Sequence, residues 1–206
     1  DEILKAAAEI GARQLVIATH GRSGIGRWFY GSTASHLLRH AEIPVVAVGP
    51  NALERPKAEI TVKHVLLPLD GSELSEKAIP VASALAGAFG ARISLVRVVR
   101  WAVQAYPYTL PDAYLPQVDQ ELEAGAKTYL QRKESEIKDV EARAFVVRGA
   151  VAEGLLEFID KEGADFVVMT THARGGLARM ALGSVADRML QAPVPVMLVR
   201  PEAAGA

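Results

Sequence analysis

Cysteine is missing from this chain of 206 residues. Its absence excludes disulfides and thiolate metal sites, and it is compatible with a reducing cytoplasm, where we expect the protein to reside. An excess of basic residues is missing too, because the formal net charge is −1. A protein that binds nucleic acid through general electrostatic attraction needs a basic surface, so we expect no nucleic-acid partner.

Long apolar runs are also missing. The most apolar long stretch, AIPVASALAGAFGA, has about 14 residues and is too short to cross a bilayer. The opening DEILKAAAEI is acidic, which does not resemble a signal peptide. We therefore expect no membrane partner. The first residue is Asp1 and not methionine, from which we expect a truncated or processed start.

Several catalytic motifs are absent as well. The chain has no Gly-x4-Gly-Lys-Ser/Thr phosphate loop, no Gly-x-Gly-x-x-Gly after the first strand of its complete unit, and no Gly-x-Ser-x-Gly elbow. The sequence places no acid pair and no Ser/His/Asp set together. It therefore nominates neither a nucleophile nor a general base, and we expect no protein ligands for a metal.

What the chain does contain is one unusual pattern twice. THGRSGIGRWFYGSTASHLL at 19–38 and THARGGLARMALGSVADRML at 171–190 both run from Thr-His through Arg and a glycine turn to Gly-Ser at the start of a helix. The copies lie 152 residues apart at a constant offset. That distance is too long for a solenoid period and about right for a duplicated domain.

The remainder alternates short, continuously apolar strands with helices. This order is typical of an α/β fold with a parallel sheet covered on both faces. The pattern of residues 1–50 predicts a helix, a strand, a helix and a strand. Residues 51–60 are predicted to be a linker, because they are rich in proline, glycine and charge. Residues 61–201 are predicted to form a complete unit with five strands. The aromatic stretch 101–116 fits a lid, a contact surface or a floppy insertion.

Two features lie where such a sheet binds ligands, beyond the carboxyl ends of its strands. Strand one of the complete unit ends at Asp70, and strand four ends where the repeated loop begins; if the two strands are neighbours, both features line one crevice. Gly183-Ser184 opens a helix whose first N–H groups favour an anion such as phosphate. Arg174 can add positive charge, and Asp70 can accept hydrogen bonds from a ribose or an adenine amine.

Each feature also has a purely structural interpretation. Gly183-Ser184 is an ordinary helix start, and Asp70 with the following Gly-Ser is an ordinary turn and cap. His172 is isolated in sequence from other metal-ligand candidates, so a structural position or one beside a phosphate is favoured over zinc ligation. The residues alone leave these alternatives open.

The chain resembles the universal stress protein family. The resemblance is carried by VLLPLDGSELSEKAI, GADFVVMTTHARGGLARMALGSVADRML and PVPVMLVRP. It implies a Rossmann-like α/β fold with an open five-stranded parallel sheet, strand order 3-2-1-4-5, and helices on both faces. It further implies a tandem repeat, in which residues 1–50 are the C-terminal half of a first domain and residues 61–201 are a complete second domain.

Nucleotide-binding members of that family carry Gly-x2-Gly-x9-Gly-Ser/Thr. The equivalent positions here are Thr170, Ala173, Gly183 and Ser184 in the second domain, and Ala18, Gly21, Gly31 and Ser32 in the first. Both copies keep the spacing and the Gly-Ser helix start, and both lose the first glycine. Ala173 also places a methyl group where phosphate oxygens should approach.

The resemblance implies ATP with Mg²⁺ as the ligand, a regulatory or stress-response function, and at most slow hydrolysis. It assigns Asp70 to the ribose or adenine, Val98 to the adenine edge, and the backbone amides of Gly183, Ser184 and Val185 to the phosphates. The full set of expected contacts is Pro68, Asp70, Val98, Met169, Thr170, His172, Ala173, Arg174, Gly183, Ser184, Val185, Gly21, Gly31 and Ser32.

Family members commonly pair their domains edge to edge through strand five. Residues 44–48 and 195–199 are apolar strands suited to that pairing, either between the two domains or between copies of the chain. An alternative function follows from the loop substitutions. Because Thr170 and Ala173 replace glycines, the chain can also be interpreted as a dimerising interaction protein of the stress response that does not bind nucleotide.

Overall fold

The computed structural model describes residues 2–19, 31–54, 62–105, 114–171 and 182–200. The strands in this part of the chain are β1 Leu15–Ala18, β2 Val45–Val48, β3 His64–Pro68, β4 Arg92–Val99, β5 Ala142–Arg148, β6 Phe166–Thr170 and β7 Val196–Val199. The helices are α1 Glu2–Glu9, α2 Ser32–His40, α3 Pro50–Leu53, α4 Glu73–Glu76, α5 Ile79–Phe89, α6 Ala102–Ala105, α7 Leu115–Glu136, α8 Val151–Glu162 and α9 Ser184–Met189.

All of these strands belong to one sheet with the order β1-β2-β7-β6-β3-β4-β5. Neighbouring strands run parallel except β2 and β7, which are antiparallel. The α/β class is as expected, but the sheet is larger than the five parallel strands anticipated for one domain. The first segment adds two strands beyond β7, and the antiparallel pair marks the point of addition.

The expected pairing of residues 44–48 with 195–199 occurs within the chain. Its register places Val46 opposite Met197, and the backbone of Gly49 packs against the carbonyl of Leu190 just beyond it. A side-chain bond from Asn51 Nδ2 to a backbone oxygen of the second segment, 2.7 Å long, lies beside that contact. Backbone pairing therefore joins the two segments directly. The expected linker 51–60 begins inside α3, and its residues 55–60 lie outside the described part of the chain.

Successive strand residues alternate between two apolar cores, as the two-residue period of a strand requires. One core packs against α8 and α9 and includes Leu66, Val96, Leu155, Val167, Met189 and Leu198. The other packs against α5 and α7 and includes Val65, Ala82, Leu95, Leu130, Val168 and Met197. No helix in the described ranges is both long and apolar enough to span a bilayer.

The strands that precede the two copies of the repeat differ in solvent exposure. Val16 of β1 is 64% exposed, whereas Val168, its equivalent in β6, is 0% exposed. The reason is position in the sheet, because β6 lies between β7 and β3 while β1 is the terminal strand of the described sheet. The equivalent strand position is therefore buried in one copy and exposed in the other.

Buried His64 lies at the amino end of β3, away from the strand ends that would bind ligand. Its Nε2 is 2.7 Å from Ser94 Oγ, and its Nδ1 is 3.2 Å from the carbonyl oxygen of Glu162. Arg92 Nη2 lies 3.1 Å from the same Nδ1, so an unprotonated Nδ1 accepts from the guanidinium and Nε2–H then donates to the serine hydroxyl. Burial, and after it the Arg92 guanidinium, hold the pKa of His64 below its ordinary value of 6.5.

Replacing Gly49 by alanine should destabilise the junction between the segments. A Cβ at this position would overlap the carbonyl oxygen of Leu190, which is backbone and cannot rotate away. We expect Gly49→Ala to lower the free energy of unfolding by about 1–3 kcal/mol in urea denaturation. Gly125→Ala is the control, because nothing lies near a Cβ there and alanine should stabilise α7 by ~0.5–1 kcal/mol. Equal stability of Gly49→Ala and wild type would contradict the close contact.

Acid should weaken the fold through His64. Because its pKa is lowered in the folded state, the unfolded chain binds the proton first, and stability falls as pH drops below 6.5 towards the folded pKa. This group contributes a slope of at most about 1.4 kcal/mol per pH unit. Thermal melts of wild type and His64→Gln between pH 7.5 and 5 should show a flatter profile for the variant. Parallel profiles would rule out His64 as the source of the loss of stability in acid.

Candidate functional site

A cavity opens at the carboxyl ends of β3 and β6, which are hydrogen-bonded neighbours. Strand order reverses here, since β4 lies on one side of β3 and β6 on the other. This is the position at which open α/β sheets bind ligands. The cavity has a volume of about 120 Å³ and is lined by Pro68, Leu69, Asp70, Ser75, Val96, Val98, Val151, Leu155, Met169, Thr170, Thr171, Gly183, Val185 and Ala186.

The structure brings about half of the expected contact residues to this cavity. Those that line it are Pro68, Asp70, Val98, Met169, Thr170, Gly183 and Val185. Ser184 is exposed beside it, and Gly31 and Ser32 are exposed in the first segment and are not among the lining residues. Gly21, His172, Ala173 and Arg174 lie outside the described residues.

Several lining residues were not among those expected from sequence. Val96 lies two residues before the expected Val98 on β4 and is therefore on the same side of the strand. Val151 and Leu155 are four residues apart and share one side of α8. The periodicity of these elements could have identified Val96 from Val98, and Val151 together with Leu155. Ser75 also lines the cavity and was not among the expected contacts.

The turn after β3 is closed by its own side chains. Asp70 Oδ1 accepts hydrogen bonds from the Ser72 N–H, at 2.9 Å, and from the Ser72 hydroxyl. Ser72 Oγ caps α4 by accepting from the Ser75 N–H at 3.1 Å, and the Asp70 N–H donates to Ser75 Oγ at 3.3 Å. Gly71 supplies the left-handed backbone of the turn, with φ +87°. The interpretation of this stretch as a turn and cap is therefore correct, and the same turn places Asp70 and Ser75 at the cavity.

The start of α9 presents backbone donors beside the turn. Gly183 is its N-cap, with φ −63° and ψ 149°, and within the described part of the chain no side chain caps the helix. The first intrahelical bond joins the Asp187 N–H to the Gly183 oxygen. The amides of Ser184 and Val185 therefore take no part in the helix's own bonds.

Both copies of the repeat build this helix start in the same way. The Gly183 N–H donates to the Thr171 oxygen at 3.1 Å, and the Gly31 N–H donates to the Thr19 oxygen at 3.2 Å. Gly31 has φ −54° and ψ 150°, close to the angles of Gly183. The sequence repeat is therefore also a repeat of backbone geometry. Only the second copy lies beside the cavity described above.

Comparison with known proteins indicates the family of the chain. The chain matches the family model described as "Universal stress protein family" over residues 1–49 and 61–200. It is 32% identical over 190 residues to universal stress protein Rv2005c of Mycobacterium tuberculosis, in an alignment covering 92% of this chain and 62% of that protein. The chain thus spans less than two thirds of the length of such relatives.

Two further matches are a shorter relative and a solved structure. A universal stress protein of Thermus aquaticus is 32% identical over 146 residues, which cover 67% of this chain and 98% of that protein. The solved structure of PA1789, a functionally unknown protein from Pseudomonas aeruginosa, superimposes with a TM-score of 0.70 at 16% identity, covering 98% of this chain and 67% of that one. On the family match and these identities, the chain belongs to the universal stress protein family.

Proposed function

We propose that this chain binds an adenine nucleotide, ATP with Mg²⁺, and acts as a regulatory or stress-response module. One observation carries the proposal. The cavity at the switch point of the sheet is bordered both by the Asp70 turn and by the start of α9, whose amides are not used in the helix. An apolar recess beside backbone donors suits a flat base attached to an anion.

The apolar part of the cavity would take the adenine ring. Its walls include Val96, Val98, Leu155 and Met169, which offer dispersion contacts to both faces of a flat base. The described walls enclose about 120 Å³, whereas pockets for whole small molecules measure roughly 300–1,000 Å³. We therefore place the base alone inside, with the ribose near Asp70 and the phosphates at the open mouth.

The phosphates would lie against α9. The amides of Ser184 and Val185 and the positive end of the helix dipole favour an anion there. Thr170 and Thr171 at the end of β6 can add hydroxyl donors. Any further contacts from Arg174, His172 and Ala173 rest on the family resemblance alone.

Mg²⁺ would be carried mainly by the phosphates. The described residues contain no group of three or more side chains suited to hold a metal ion. Asp70 is already engaged with Ser72, so we assign it to hydrogen bonding with the ribose or base and not to activation of water. Hydrolysis would accordingly be slow.

We further propose that residues 1–50 are the C-terminal half of one domain, residues 51–60 a linker and residues 61–201 a complete second domain. Three observations favour this division. The helix start has the same geometry in both copies, the family model matches the two segments separately, and the segments meet through β2 and β7.

The alternative is a dimerising interaction protein that does not bind nucleotide. The exposed Val16 on terminal strand β1 favours it, since an apolar terminal strand can pair with another chain. The small volume enclosed by the described walls favours it as well. The two functions differ in whether nucleotide changes the stability of the chain.

Calorimetric titration with ATP and Mg²⁺ should detect one site per chain. Nucleotide at a hundred times its dissociation constant should add roughly 2.7 kcal/mol to the free energy of unfolding, which a thermal melt would register. Tripolyphosphate is the control, because it can reach the α9 amides but leaves the apolar recess empty, and it should bind more weakly. Absence of heat together with an unchanged melting temperature at millimolar ATP would leave only the alternative function.

Gly183→Val should weaken nucleotide binding by at least about tenfold, because a branched side chain would enter the cavity lining beside the α9 amides. Gly31→Val is the matched control. The backbone angles at the two glycines are nearly the same, and nothing lies near a Cβ at Gly31. We expect the control to keep the wild-type affinity. Equal losses in both variants would place the nucleotide elsewhere.

A further inference from the structure

A cluster of polar side chains lies across the sheet from the cavity, on the side of the core that packs against α7. It consists of Glu76, Arg97, Tyr129 and Lys133, and we call it the Glu76 cluster. Tyr129 Oη donates to Glu76 Oε1 at 3.0 Å, and Lys133 Nζ is 2.8 Å from Glu76 Oε2. The Lys133 side chain is 11% exposed and the Glu76 side chain 23%, so the ion pair is partly withdrawn from water; Lys133 Nζ also lies 3.0 Å from Oε2 of the half-exposed Glu136. Both oxygens of one carboxylate are therefore engaged by α7.

The cluster is connected to the cavity through α4. Glu76 is the last residue of this single-turn helix, and Ser75, the residue before it, lines the cavity and accepts the Asp70 N–H. Fixing Glu76 from α7 therefore fixes the orientation of the turn that carries Asp70. The connection is short, because α4 has only 4 residues.

A second contact reaches the same turn from β4. The Arg97 guanidinium lies so close to Gly71 that a Cβ there would be 3.0 Å from Nη1. The same guanidinium stands 5.2 Å from the centroid of the Tyr129 ring, within the range of a cation–π contact. Arg97 is thus held between the turn and α7, and the cluster contacts the turn at both Gly71 and Glu76.

Stability alone is a weak reason for this arrangement. Burying an ion pair costs desolvation, and apolar residues of similar volume are often as stabilising. Burial tends to raise the pKa of Glu76, but the hydrogen bonds from Lys133 and Tyr129 outweigh it and leave that pKa below its ordinary value of 4.5. The carboxylate is therefore ionised at neutral pH and held by directional bonds, which fix position better than apolar contacts do.

We propose that Glu76, Tyr129 and Lys133 are positioning residues that hold the turn after β3 in the shape that presents Asp70 and Ser75 to the cavity, and that they thereby set the affinity of the site for nucleotide. This inference rests on the proposed function. Its specific content is that a contact on the α7 side of the sheet controls binding on the other side.

Tyr129→Phe tests it with the smallest change, since only the hydroxyl is lost and the ring stays under Arg97. The first measurement needs no ligand. Hydrogen exchange of the Asp70, Ser72 and Ser75 amides, all of which donate within the turn, should become several-fold faster than in wild type. The second is calorimetry with ATP and Mg²⁺, where we expect a dissociation constant about five- to tenfold higher.

Lys133→Met and Lys127→Met form a matched pair on α7. Lys127 is exposed and outside the cluster, so its replacement should alter neither measurement, whereas Lys133→Met should act like Tyr129→Phe. The double variant Tyr129→Phe/Glu76→Gln should have the same affinity for ATP as whichever of its two single variants binds ATP more weakly. The two losses should not add, because both changes act through one carboxylate.

A lowered melting temperature with unchanged exchange in the turn and unchanged affinity would overturn the inference, since the cluster would then serve only stability. Unchanged behaviour in every measurement would overturn it too. If wild type itself binds no ATP, the proposed function fails separately. The exchange rates then decide alone whether the Glu76 cluster holds the turn, with faster exchange supporting that role and unchanged exchange refuting it.

Discussion

The parallel pairing of β3 with β6 is the constraint on which the candidate site depends. Val65 lies opposite Phe166 and Leu66 opposite Val167, and this register makes the two strands end side by side. Asp70 follows one strand directly, and the start of α9 lies beside the same cavity as the end of the other strand. Residues more than a hundred positions apart in sequence therefore meet at one edge of the sheet because the backbones of these two strands are paired.

The sequence predicts the features that depend on local pattern. Alternating apolar strands and helices indicated the fold class. The pairing of residues 44–48 with 195–199 was implied by the family resemblance, to which their apolar character is suited. The contact between Gly49 and Leu190 could not be foreseen, because it depends on how closely two backbones approach after the strands have paired. The bond from Tyr129 to Glu76 joins residues 53 apart on different helices, and no periodicity connects them.

The two copies of the repeat show what local sequence cannot decide. Gly31 and Gly183 cap their helices with nearly the same angles and the same backbone bond. Their surroundings nevertheless differ, because β6 has a neighbour on each side and β1 is a terminal strand of the described sheet. A helix start of this geometry becomes part of a recess only when the adjacent strand and helix supply apolar walls. In the second segment β4 and α8 do so.

In the Asp70 turn, the observed structural role and the proposed binding role do not exclude each other. A carboxylate that closes its own turn has one oxygen fixed by Ser72, so its side chain is already ordered before any ligand arrives. Ordering a flexible group on binding costs about 0.5–1.5 kcal/mol per side chain, and a group held in place in advance avoids that cost. Engagement in the turn therefore does not count against a contact with ligand. Because the turn already orders the side chain, a single carboxylate at the mouth of a small cavity could contribute to the affinity for a ligand.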